Sequence, residues 1–312
     1  MSVSRANLRG GIAKITWNGG TFFTRDPFSA EHDPTWDEVV ADAHGMIDRV
    51  LKDRVIRVRG KLWGAWESLS VLFPTAVKTT VIDRIYGTTD LPLVVAAANL
   101  DEMTIHNVQL TKLANLFLGV NAPIFAADVE FTGLIKNNAN PEDAASYVTW
   151  ATAVSYADTT FAKTNFKQQR YSAAWGAIAG FTAFQGKEGW NIEWNMDLSP
   201  DVVDAVGTVD MVRTGFYARA RCIPIEPTVA QLETAANVQG ASNVLGRLLS
   251  GGATVGTDLV ITGSGVSVTL AKAGIISHGH AFGAKPLRNG EVVWESTTAF
   301  TTGVADARVA IS

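Results

Sequence analysis

The chain has 312 residues, 47% of them hydrophobic, with 26 Lys+Arg against 30 Asp+Glu and a formal net charge of −4. That length suits two domains of ordinary size, each able to bury a core, while the mildly acidic balance argues against tight nonspecific capture of nucleic acid through counterion release. One cysteine, Cys222, excludes a disulfide within the chain, and no apolar run reaches the roughly eighteen residues of a membrane-spanning helix.

Residues 1–10 read as an extended arm. The opening MSVSRANLRGG lacks the apolar core of a signal peptide, so the expectation is a protein that stays in the cytoplasm where it is made. Residues 11–17, GIAKITW, alternate as a short strand, with 177–184, AIAGFTAF, as the counterpart further on. Asn18-Gly19-Gly20 marks a turn. Residues 21–40 then read as a long loop rich in aromatic and charged side chains, matched by a second at 185–203. Long loops in compact domains are usually functional. Their aromatic residues, Phe22, Phe23, Trp36, Trp190 and Trp194, are expected at a protein interface.

Residues 40–59, VADAHGMIDRVLKDRVIRVR, recur as 202–221, VVDAVGTVDMVRTGFYARAR. The shared residues are Val40/Val202, Asp42/Asp204, Ala43/Ala205, Gly45/Gly207, Asp48/Asp210, Val50/Val212, Arg57/Arg219 and Arg59/Arg221. Unrelated segments of ordinary composition share roughly one identity in such a window. The offset is domain-sized, far beyond the period of about 20–50 residues typical of solenoids and propellers. A tandem copy of one domain is the simplest reading. In the strand at 54–62, Val55, Arg57 and Arg59 lie on one side, Ile56 and Val58 on the other. The recurrence of the arginines as Arg219 and Arg221 suggests that they meet acidic groups on a neighbouring subunit; the plain alternative is a solvated strand face.

Residues 63–77 carry Trp66, Leu69, Leu72 and Phe73 at helical spacing and stop at Pro74, with a second helical candidate at 229–249. Strands are expected at 91–98, 103–111 and 124–133 in the first half. The second half offers two strands around Gly263-Ser264-Gly265, then 291–296, with Phe131 and Trp294 in matching places. The division is a first unit at 1–135, a linker with a possible helix at 136–170, and a second unit at 171–312. Cys222 sits in the alternating strand FYARARCIPI and reads as a packed thiol. The fold class is mainly β with a few helices: two tandem β-sandwich or half-barrel units, each with a flanking helix.

No constellation of catalytic chemistry stands out. Gly263-Ser264-Gly265 is followed by strand alternation, whereas a dinucleotide fingerprint needs a helix there. His278-Gly279-His280 lacks a third ligand at metal spacing. Asp37, Glu38 and Asp42 are not placed across a cleft, and no GxSxG, P-loop or HExxH is present. The expectation is neither an enzyme nor a binder of cofactor or metal.

The residues at 55–63 followed by a short helix and Pro74, Tyr86-Gly87 with Leu91-Pro92-Leu93, residues 104–108 leading to Leu118-Gly119, and 128–133 together resemble the tail tube (major tail) proteins of tailed bacteriophages. In the second half the resemblance is carried by 266–273 leading to Phe282-Gly283, and by 291–296. It implies sandwich units whose strands join those of neighbouring subunits into a ring-shaped β-barrel, with rings stacking into a hollow tube in the virion tail. Two units per chain imply a homotrimeric, pseudo-hexameric ring. The implied partners are further copies of the chain, other tail proteins such as the tape measure and terminator, and double-stranded DNA passing through the lumen without sequence-specific binding. The rival readings are a baseplate or hub ring protein and a β-sandwich carbohydrate-binding module using Trp190 and Trp194.

Overall fold

The structure is a computed structural model and describes residues 13–24, 28–42, 44–64, 66–73, 85–86, 90–97, 101–119, 125–136, 143–152, 171–176, 180–203, 206–225, 257–263, 265–281, 288–296 and 309–311. The first half contains β1 (Ala13–Trp17), β2 (Gly20–Thr24), β3 (Ser29–Ala41), β4 (Gly45–Gly64), β5 (Leu93–Ala96), β6 (Glu102–Ile105), β7 (Val108–Leu118), β8 (Phe125–Gly133) and β9 (Val148–Ala151). The second contains β10 (Ser172–Trp175), β11 (Phe184–Gln185), β12 (Trp190–Val203), β13 (Gly207–Cys222), β14 (Thr257–Gly263), β15 (Val266–Ala281), β16 (Arg288–Ser296) and β17 (Val309–Ile311). Two 3-10 segments, Trp66–Leu72 and Ala144–Ser146, are the helical elements among the described residues. The chain is mainly β, and its strands join in one antiparallel network that does not close into a barrel.

The halves repeat the same pairings. β1 pairs with β2 and β5, β5 with β6, and β6 with β9. β10 pairs with β11 and β14, β14 with β15, and the start of β15 with β17. β3, β4, β8 and β7 then lie side by side, as do β12, β13, β16 and the end of β15. Irregularities repeat as well. The β3–β4 hairpin slips register at Thr35/Trp36 and Val39/Val40, and the β12–β13 hairpin at Asp197/Leu198 and Asp201/Val202. Each is the same position displaced by 162 residues. A bulge fixes twist and register locally, so its placement reflects specific sequence rather than generic pairing.

The strongest local repeat is a bend. β6 runs into β7 through Asn107, held at φ 46°, and β15 bends at Lys272, at φ 45°. A non-glycine residue in the left-handed region is uncommon and needs support. In both halves an aspartate supplies it: Asp90 Oδ1 accepts from the Asn107 N–H at 2.6 Å, and Asp258 Oδ1 from the Lys272 N–H at 2.9 Å. The residue after each bend lends its carbonyl to a buried indole, Trp17 Nε1 to Val108 O at 3.0 Å and Trp175 Nε1 to Ala273 O at 2.9 Å. Those same indoles meet Phe131 and Trp294 edge-on, with ring centroids 5.2 and 6.3 Å apart. The bend thus folds the β1/β2/β5/β6 layer over β4, β8 and β7, and its counterpart over β13, β16 and β15. Each half is a sandwich with the aromatic residues between its layers.

Period-two alternation decides which side faces in. Ile56, Val58 and Leu62 of β4, Val129 and Phe131 of β8, and Ala218, Ala220 and Cys222 of β13 are buried. Arg57, Arg59 and Lys61, one residue out of step, are on the other face.

Several sequence expectations need correction. Residues 21–40 and 185–203 are chiefly strand, not loop. Phe22 and Phe23 pack in β2, so shortening the segment from Phe22 would open the core. The counterpart of β1 is β10, not 177–184, because Trp175 occupies the place of Trp17. Residues 148–151, expected in the linker, pair with β6 as part of the first half. The helix expected at 63–77 appears as the 3-10 segment Trp66–Leu72, since β4 continues to Gly64. Pro74 and the helical candidate at 229–249 lie outside the described residues.

Candidate assembly interface

The two halves are joined through strands. The outer edge of β7 pairs with β12, with Trp190 opposite Leu118, Asn191 opposite Phe117, Ile192 opposite Leu116, Trp194 opposite Leu113 and Asn195 opposite Lys112. Trp190, Ile192 and Trp194 point inward with Leu118, Leu116 and Leu113, all buried. The chain reaches this register through Gly189, at φ +99°, where a Cβ would strike the Leu118 carbonyl. Only glycine fits so close an approach.

This joint runs β3-β4-β8-β7-β12-β13-β16-β15, and both ends of the row are open among the described residues. At one end the outer edge of β3 has no strand partner; at the other, neither has the end of β15 beyond its pairing with β16. These edges are the counterparts of the two that meet inside the chain. By the repeated register, Ala30, His32 and Asp33 stand where Ile192, Trp194 and Asn195 stand, and Ser277 and His278 stand where Lys112 and Leu113 stand. Unpaired edges are aggregation hazards unless something covers them.

The outward face of the row is charged but paired within the chain. Arg57 meets Asp33 at 3.2 Å; Arg59 meets Glu31 at 3.3 Å and Glu130 at 3.1 Å. Arg219 meets Glu295 at 2.6 Å and Glu193 at 3.9 Å, and Arg221 reaches Asn115 Oδ1 at 3.5 Å. The hydrogen bond and charge of Glu130 raise the Arg59 pKa further, against a small opposing effect of burial, and Glu31 adds to the rise. Burial lowers that of Arg219, but Glu295, Tyr217 and Glu193 outweigh it. These guanidinium groups stay charged. Exposed pairs of this kind contribute little stability, of order 0–1 kcal/mol. Their main effect is to offset positive charge on this face. An open groove of about 500 Å³ crosses it between the halves, lined by Asp33, Arg57, Lys112, Glu130 and Asn195 among others.

The equivalent hairpins differ in what covers them. The β12–β13 hairpin lies against the first half: Thr208 donates its N–H to Asp53 Oδ1 at 2.8 Å and its hydroxyl to Asp53 Oδ2 at 2.5 Å. Asp210, buried, accepts from the main-chain N–H of Tyr86 at 3.1 Å and Met211 at 2.7 Å. Ile85 N–H donates to Met211 O, and Trp194 Nε1 to Leu72 O at 3.2 Å. The far part of the β3–β4 hairpin lies in the open, with Trp36, Val40, Met46, Ile47, Val50 and Leu51 all exposed.

The predicted site residues therefore separate into three groups. Arg57, Arg59, Arg219 and Arg221 share the charged face, with partners in their own chain. Phe22, Phe23, Trp190 and Trp194 are buried, Trp190 and Trp194 at 0% and 1% exposure, so neither indole offers a face to a sugar. Trp36, 48% exposed, remains a surface aromatic. The open edges were missed because an edge is a property of pairing, which no single stretch of sequence displays. The described residues hold no group of three or more His, Cys, Asp or Glu able to bind a metal, and no helix among them is long and apolar enough to cross a membrane. No protein-family model matches the chain, and no curated protein matches it.

Proposed function

We propose that this chain is a structural subunit, built of two equivalent tandem units, that joins copies of itself head-to-tail into closed rings which stack into a tube, as phage tail tube proteins do. One observation carries the reading. Among the described residues, the edge-to-edge joint between β7 and β12 inside the chain leaves its two counterparts, the end of β15 and β3, open on opposite ends of the same row. An interface between different patches repeats from copy to copy, and it closes into a ring when the rotation allows. Closure removes both edges, as in a barrel. Three chains would place six equivalent units around the axis.

The charged face of the row suits the lumen of such a ring. Its apolar face is already committed to the sandwich cores, and its arginines are largely offset by Glu31, Glu130, Glu193 and Glu295. DNA would pass such a wall without being held, because tight phosphate binding needs uncompensated cationic charge. The test is light scattering followed by negative-stain microscopy of the purified chain over a wide concentration range. Rings of three chains, stacked into tubes, are expected. A chain that stays monomeric at every concentration overturns the reading, and three-chain rings that never stack would favour a hub protein that makes one ring.

A further inference from the structure

The β3–β4 and β12–β13 hairpins share length, register and both bulges, yet among the described residues only the second is covered. The contrast is sharpest at one pair of residues. Asp210 receives the N–H of the following residue, Met211, and a second N–H from Tyr86 across the halves. Asp48 occupies the same register position, opposite Val39 as Asp210 is opposite Asp201. Its carboxylate likewise receives the N–H of the following residue, Arg49, at 2.7 Å, and no second donor reaches it among the described residues. Along the same strand lie Met46 and Val50, 52% and 56% exposed and, by their pairing with Val40 and Asp37, on opposite faces of the bulged hairpin, where the second hairpin has Thr208 and Val212. Apolar side chains clustered in the open on a two-sided hairpin mark a contact surface.

We infer that the β3–β4 hairpin docks across the second half of a neighbouring copy, as the β12–β13 hairpin docks across the first half of its own chain, with Asp48 accepting a main-chain N–H of that neighbour. The inference rests on the head-to-tail reading above and deepens it: the open edge of β3 and the bare hairpin are continuous along one strand pair, so a copy that pairs with the edge meets the hairpin too. The contact is not a replica in detail. Asp53, which receives Thr208 within the chain, has Gly215 as its register counterpart, and Thr208 has Met46. The polar pair within the chain gives way to an apolar one between chains. Burial of that surface only on assembly explains how so many apolar side chains stand exposed in the single subunit.

The test compares the parent chain with Met46→Asp/Val50→Asp and with Asp48→Ala, using monomer melting, sedimentation and microscopy. Both variants are expected to melt as the parent does when dilute, since these side chains touch little within their own subunit. Association should weaken by about tenfold or more, as for the central residues of an interface. If the parent never associates, the ring reading and this one fall together. If the parent forms rings and both variants do so at the same concentration, the ring reading stands and the hairpin contact is wrong. Variants that form normal three-chain rings but no tubes would place the hairpin between rings, which also overturns the contact proposed here. A lowered melting temperature of the dilute variants would show that the hairpin supports its own subunit, against the proposal.

Discussion

Asp90 and Asp258 do the same task with different help. Each accepts a main-chain N–H at a left-handed bend, but Asp90 also accepts from His106 Nδ1 at 2.8 Å. Hydrogen bonds to a charged acceptor contribute about 1.5–3 kcal/mol each when they are sheltered, and Asp258 is more exposed than Asp90. Asp90→Ala is therefore expected to cost about 2–3 kcal/mol and Asp258→Ala about 1 kcal/mol in urea unfolding; equal costs would mean that the histidine contact adds nothing. A second residue-scale expectation concerns high pH. Burial raises the Tyr171 phenol to about 12 and pushes Tyr86 well up, with Asp210 adding to it. Burial, with Glu291 adding, also raises the Cys222 thiol. In the unfolded chain a thiol titrates near 8.5 and a phenol near 10. Below those values the groups are neutral in both states and stability is unaffected. As pH rises past them the unfolded chain loses protons first, so stability falls from about pH 9 upward until the folded values are reached. A urea midpoint that stays flat between about pH 9 and 11 would contradict this. The same burial predicts that Cys222 resists thiol reagents until the chain is unfolded.

The tryptophans of β16 and β3 are expected to behave in opposite ways. Trp294 of β16 is fully buried and meets Trp175, Phe181, Phe184 and Trp190 at centroid distances of 5.6–6.3 Å. Trp294→Ala should cost about 3–5 kcal/mol by loss of transfer energy and a cavity too large to collapse. Trp36→Ala, on the projecting hairpin, should change monomer stability by no more than about 0.5 kcal/mol. Chemical denaturation of both variants checks the contrast, and a large loss from Trp36→Ala would show that β3 packs against its own subunit. Sequence made much of this element level legible. Period-two alternation marked β4, β8, β14 and β16, and the paired Phe131 and Trp294 gave the correspondence between the halves. It failed for β3 because a hairpin wet on both faces has no buried side to impose alternation, and the prolines at 34 and 200 stand where an edge strand tolerates them. For β12 the signal was present in Trp190-Asn191-Ile192-Glu193-Trp194, buried and half-buried in turn, and the surrounding polar residues obscured it.

At the scale of the whole molecule, the repeat visible in residues 40–59 and 202–221 is the sequence trace of two matching hairpins. What the residues alone did not show is that the two units are joined by strand pairing rather than by a tether. That distinction carries geometry. If the joint between copies repeats the joint within the chain, its register follows. Asn195 opposite Lys112 becomes Asp33 of one copy opposite Ser277 of the next, since Asp33 faces Val55 as Asn195 faces Tyr217 and Ser277 faces Val293 as Lys112 faces Glu130. Directly opposed residues of an antiparallel pair have Cα atoms about 4.5–5.5 Å apart, within the span a disulfide accepts. Asp33 and Ser277 lie on the outward face, where an oxidant can reach them, and replacing Asp33 removes one exposed ion pair of small energetic value. Cys222 is buried and does not compete. The double variant Asp33→Cys/Ser277→Cys should therefore assemble as the parent does and, on mild oxidation, give covalent species that end at three chains on a denaturing gel, because ring closure consumes every pair. An open series of ever larger species would mean that the rotation does not close. Rings that form but remain uncrosslinked would show that copies meet in a different register from the two units within the chain.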